Sequence, residues 1–171
     1  MKNKRILTIL IIFSIYSIIN IYAEPIISGF GIFYKTPYEE GLRQIKADGF
    51  KISEETIRKD TNTDRKVIKV DSFEYDGIPY LNGTFSFDRH SDGKYYFSLA
   101  EGTADLNKIE KDVDYAAKYK VFLKMCNEKY YSSTEQYDDV SLLGYRGDNG
   151  GYILLAFSDH LLVIYSPKET K

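Results

Sequence analysis

From residue 36 onward the apolar residues of this chain recur at helical spacing, then at every second position, then at helical spacing again, then once more at every second position. Few architectures accommodate that order. Thr36, Pro37 and Glu39 form a capping-box helix start, Tyr38, Leu42 and Ile45 follow at helical spacing, and Gly49 supplies a stop, which predicts a helix over 37–48 after a short apolar strand within 26–34. From Phe50 the period falls to two. Phe50 and Ile52 open one strand, and Val67, Ile68 and Val70 with Phe73 and Tyr75 make a second. Leu81, Gly83, Phe85 and Phe87 alternate on a third after an Asp76-Gly77-Ile78-Pro79 turn. Tyr95, Phe97 and Leu99 alternate on a fourth after Ser91-Asp92-Gly93. The polar stretch 56–66 reads as a solvated loop or a splayed hairpin end.

A second helix is expected over about 105–129, with Leu106, Ile109, Val113, Ala116, Ala117, Leu123 and Cys126 along one stripe and its charges sorted against the macrodipole, acids early and lysines late. A linker over 130–139 then leads to strands over 140–146, 152–157 and 161–166, joined by a Gly147-Asp148-Asn149-Gly150-Gly151 loop and a Ser158-Asp159-His160 turn. The expected order is β-α-ββββ-α-βββ. Helices set apart from runs of antiparallel strands imply an α+β fold, one antiparallel sheet of about six to eight strands with two helices packed on one face. The repeated helix-then-meander order also suggests a distant tandem duplication.

The first 23 residues read as an address. Lys2, Lys4 and Arg5 precede an apolar run over 6–22, and Ile21-Tyr22-Ala23 offers a cleavage tripeptide before Glu24-Pro25. The expectation is a signal peptide over 1–23, cleaved after Ala23, and a single secreted or periplasmic domain over 24–171. The alternative is an uncleaved signal anchor, because the run approaches the roughly 20 residues that span a bilayer. With cleavage no membrane span remains, and no cysteine near the junction makes the chain a lipoprotein. Removing three of the 23 basic residues leaves 20 against 25 acidic, a net charge of −5, which gives no electrostatic footprint for nucleic acid. The one cysteine, Cys126, falls in the helical stripe and reads as a small buried apolar residue.

No nucleophile elbow, H-E-x-x-H, C-x-x-C or phosphate loop is present, so no catalytic residue, metal ligand or cofactor is assigned. Both histidines fall at turns beside aspartates, in Asp88-Arg89-His90-Ser91-Asp92 and Ser158-Asp159-His160. A small secreted hydrolase using His90 or His160 is therefore the alternative to a non-enzymatic reading. Arg146-Gly147-Asp148 spells an integrin-binding tripeptide, but its glycine is what a hairpin loop demands anyway. Tyrosine is abundant, at 16 residues, and suits surfaces that are half dry and half wet. Tyr115 and Tyr119, flanking the helical stripe, and Tyr131 and Tyr137, in the linker, are the candidate binding residues.

The export signal, the helix start at Gly31-Ile32 to Thr36-Pro37-Tyr38-Glu39-Glu40-Gly41-Leu42, the Gly49-Phe50 exit and the two helix-then-meander units resemble small bacterial envelope domains. The likeness is to the β-lactamase-inhibitor-protein type and to the small lipoprotein of the outer-membrane barrel assembly machinery. It spans most of the chain as layout, and no binding residue carries over. The resemblance implies a non-catalytic module that binds a protein partner in the cell envelope through an exposed sheet face and loops. Neither the partner's identity nor the oligomeric state follows from it.

Overall fold

A computed structural model describes residues 23–59, 64–137, 140–158 and 160–170. The expected signal peptide falls on 1–23 and so lies, but for Ala23, outside the described residues. The fold is α+β. A nine-stranded antiparallel sheet carries three helices and a small two-stranded ribbon, more strands than the sequence pattern revealed.

The ribbon comes first. β1 (Ser28–Gly29) and β2 (Ile32–Phe33) are joined by Phe30 and Gly31, both at positive φ (+46° and +84°), the geometry of a type I′ turn. This strap lays Phe30 into the centre of the core, within 5.9 Å of the rings of Phe73, Tyr75, Tyr80, Phe85 and Tyr165. Gly29 lets the strap sit close, since a Cβ there would stand 2.8 Å from that of Tyr165.

Helix α1 (Tyr38–Ala47) begins one residue later than expected, with Pro37 at the cap position and no side-chain capping bond. The reason is local. Thr36 is recruited by the sheet, its carbonyl accepting from the Phe97 N–H at 2.9 Å, so the capping box is not made. The exit behaves as predicted. Gly49 turns at φ +81°, its N–H donates to Lys46 O, and the Phe50 N–H donates to Ile45 O, the paired bonds of a Schellman motif.

β3 (Ile52–Lys59), β4 (Asp64–Val70), β6 (Ile78–Arg89) and β7 (Tyr95–Ala104) form the first meander, with the short β5 (Phe73–Tyr75) also paired to β6. Residues 56–59 and 64–66, expected as a solvated loop or splayed hairpin end, are instead paired strand, Thr56 opposite Val67 through Lys59 opposite Asp64, while 60–63 lie outside the described residues. The single long helix expected next is two, α2 (Leu106–Lys111) and α3 (Val113–Lys129). Asp112 takes an extended conformation between them, and its carboxylate accepts from the N–H groups of Asp114 and Tyr115, so it restarts a helix rather than continuing one. The expected linker after α3 is strand β8 (Tyr131–Tyr137), followed by β9 (Val140–Arg146), β10 (Tyr152–Phe157) and β11 (Leu161–Ser166).

The strand order is β3-β4-β6-β7-β11-β10-β9-β8. Each meander therefore ends at the middle of the sheet, where β7 and β11 pair antiparallel, and the two edges are β3 and β8. α1, α3 and the strap cover one face. There Phe85, Phe87, Phe97, Ala100, Val163 and Leu155 are fully buried, with Gly41 of α1 seated on the Phe87 ring. Among the described residues no helix is long and apolar enough to cross a membrane.

Candidate binding face

Strand register decides what the other face of the sheet displays. Side chains alternate, and Val163, Leu155 and Tyr145 point to the helix side, so their neighbours Leu162, Ile164, Leu154, Ala156, Leu142 and Gly144 point away from it. Leu99 on β7 joins them. Leu142, Leu154, Ala156, Leu162 and Ile164 are each partly exposed, and cross-strand pairing makes them one continuous aliphatic patch over β11, β10 and β9; on β7 Thr103 and Glu101 stand opposite Leu162 and Ile164, with the partly exposed Leu99 diagonal to Ile164. At one end of the patch stand two exposed tyrosines, Tyr131 on β8 (47 % exposed) and Tyr152 on β10 (42 %), with Arg146 of β9 between them in register.

The same face of the first meander is polar. Glu54 pairs with Lys69 and Arg65 with Asp88, both at 2.6 Å, and Thr84 and Ser86 lie among them. The face is thus divided, apolar over the second meander and charged over the first. Aliphatic side chains gathered on a solvated face mark a contact surface more often than a chance cluster, because soluble chains keep such patches small. The signal was present in the sequence. β10 (YILLAF) and β11 (LLVIYS) run apolar without alternation, which in an antiparallel sheet means that both faces are apolar.

The four candidate tyrosines are not gathered into one surface. Tyr115 ties α3 to β5, its hydroxyl donating to Glu74 at 3.1 Å while Lys118 pairs with the same carboxylate at 3.2 Å. Tyr119 turns inward beside Phe122, and burial pushes its hydroxyl up to about 12. Tyr131 borders the aliphatic patch. Tyr137 ends β8, and its side chain lies outside the described residues.

His90 and His160 are both exposed. His90 follows the β6 end that pairs with Tyr95, whereas His160 precedes Leu161, which pairs with Ala104 at the far end of β7. The ten residues of β7 separate them, about 30 Å at 3.3 Å per residue. They cannot share a site. His90 packs against Tyr96 with ring centroids 4.8 Å apart and the planes tilted by 60°, and among the described residues no cluster of metal-ligating side chains occurs. Cys126 is fully buried, and burial together with nearby Asp76 pushes its thiol up to about 12.

The Arg146-Gly147-Asp148 loop is a clasp. Its neighbour Asn149 is buried, accepting from the N–H groups of Ile26 and Gly151 and donating to the carbonyls of Ile26 and Lys168, all at 2.8–3.1 Å. One side chain thus joins the strap, the β9–β10 loop and the segment after β11. Gly147 is pressed on the strap as well, since a Cβ there would meet Glu24 O at 2.8 Å. Comparison of the chain with protein-family models, with curated proteins and with solved structures finds no match.

Proposed function

We propose that this is an exported, non-catalytic binding or envelope-associated protein that holds a protein partner against the aliphatic half of its open sheet face. The observation that carries the reading is the patch of Leu142, Leu154, Ala156, Leu162 and Ile164 on strands whose other face already fills the core. Exposed tyrosines at the rim fit it, being suited to sites that are dry on one side and wet on the other. So does the layout resemblance to envelope domains that bind through a sheet face.

Cleavage after Ala23 belongs to the same proposal. It is supported by Glu24, the first residue it would leave, which is fastened to the end of α3 by its N–H to Lys129 O at 2.7 Å and its carboxylate to Lys129 Nζ at 2.8 Å. The non-catalytic part is supported by the exposure and separation of the two histidines and by the inert setting of Cys126.

The test is a paired capture from envelope extracts with the wild-type protein and a Leu154→Lys, Leu162→Lys variant of equal thermal stability. A partner held by the wild type and lost by the variant supports the reading. A variant that captures the same partner, or a wild type that captures nothing, removes the open face from consideration. N-terminal sequencing of the exported chain should begin at Glu24, and a sequence beginning at Met1 would favour a retained anchor.

A further inference from the structure

Two charged side chains border the aliphatic patch on the open face. Arg146 on β9 is exposed between Tyr131 and Tyr152, and Glu101 on β7 is partly exposed between Thr84 and Ile164. Among the described residues neither side chain has a hydrogen bond or an ion pair, whereas Glu54, Lys69, Arg65 and Asp88 on the same face are paired with one another. Exposed charges without partners are ordinary, but the placement of these two is specific. Three strand spacings separate β9 from β7, about 14 Å at roughly 4.8 Å each, and the patch lies between them. Register fixes the offset along the strands. Arg146 is level with Tyr152 and Ser166, while Glu101 is level with Ile164, Leu154 and Gly144. A partner that covers this face must bring an acid to one side of the patch and a base to the other.

We propose that the occupant of the open face is a second copy of the chain, packed sheet on sheet about a two-fold axis that runs along the strands between β10 and β11. This rests on the reading that the open face is a protein contact, and it names the partner. The axis sets β9 of one copy over β7 of the other, and β10 over β11. With the sheets stacked about 10 Å apart, Arg146 comes down beside Leu99 of the second copy, one step along the face from its Glu101. Symmetry makes that ion pair twice. Between the two pairs the side chains match in size. Leu154 meets Ile164 beside the axis, Leu162 lies over Ala156, and Tyr152 over the buried Ser166. Glu101 lies over Gly144, a strand-interior glycine that leaves room for an approaching chain. An axis across the strands would do the opposite, setting Arg146 over Leu142 and the two Glu101 carboxylates over each other.

The experiment is sedimentation equilibrium of the full chain as purified, from about 1 μM to about 1 mM protein, with charge-reversed variants. The wild type is expected to form a dimer. Arg146→Glu and Glu101→Arg each place like charges face to face, and each should weaken self-association about tenfold or more. Mixed in equal amounts, these two variants should pair with each other as tightly as the wild type does with itself, because every charged contact is then acid to base. Arg146→Glu and Glu101→Arg combined in one chain should restore the dimer. A wild type that stays monomeric, single variants that associate like the wild type, or a mixture that does not pair would each overturn the second copy as occupant. A monomeric wild type that still loses a captured protein on Leu154→Lys, Leu162→Lys overturns the dimer and leaves the open face as a contact for another protein. Failure of that capture too would remove both.

Discussion

Phe30 holds a backbone conformation that bulky residues avoid, φ +46°, and holds it because its ring is caged by five others and is 1 % exposed. Removing the ring leaves the strain and deletes the compensation, so Phe30→Ala should destabilise the protein by about 3–5 kcal/mol in urea unfolding. Asn149 is the polar counterpart. Asn149→Ala strands the strap and tail carbonyls that it now satisfies, and a loss of about 3 kcal/mol is expected in the same measurement, with early proteolysis near residues 24–28. Neither role was legible. In the sequence Asn149 is one more polar residue in a Gly-rich loop, and Phe30 one more apolar residue in a short run. What makes each central is contact with distant parts of the chain, Phe30 with rings from Phe73 to Tyr165 and Asn149 with Ile26, which no local pattern encodes. Cys126, by contrast, was readable, because burial on a helical stripe is a local property.

Elements were recovered where one face was buried and the other was not. The β6–β7 and β10–β11 hairpins announce themselves by turn residues between apolar strands. β8 (YSSTEQY) does not, because as an edge strand its described side chains are exposed on both faces and no alternation marks it. The two edges also differ. β3 carries Glu54, Glu55, Arg58 and Lys59 and a register shift near Ile52, devices that discourage added strands, whereas β8 has Glu135 as its one charge. Amide exchange along β8 should therefore run orders of magnitude faster than along the central β6 and β7, and equal protection would mean that another chain covers the edge. The break between α2 and α3 was hidden for a different reason. Asp112 reads equally as a dipole-favourable charge or as a cap, and only the cap is used. Asp112→Ala should cost about 1 kcal/mol, read as a shift in the urea midpoint.

At the scale of the molecule, the sheet is a partition with a dry aromatic side and an open, half-aliphatic side. The dry side holds Tyr75, Tyr119 and Cys126, all pushed up to about 12 by burial, and Tyr80 and Tyr165, which burial also raises well above the ordinary phenol range. Their folded pKa values exceed the ordinary 9.0 and 10.0 of thiol and phenol, so the folded chain holds protons that the unfolded chain releases. Stability should be level below about pH 9 and fall as pH rises toward 12, with tyrosinate absorbance of these groups appearing together with loss of the fold. The α+β class, the helix exit at Gly49 and most hairpins were legible because they rest on neighbours in sequence. The divided open face was not, since it emerges only when β7 meets β11 across some sixty residues. The Asn149 clasp has a further consequence, in time. A chain is made and threaded from its N-terminus, yet the strap's anchors, Asn149, Gly151 and Lys168, come out more than 120 residues after Ile26. The strap is thus fixed only after the β9–β10 loop and the tail beyond β11 are in place, so the order in which the chain is made is the reverse of the order in which this corner of the fold can close.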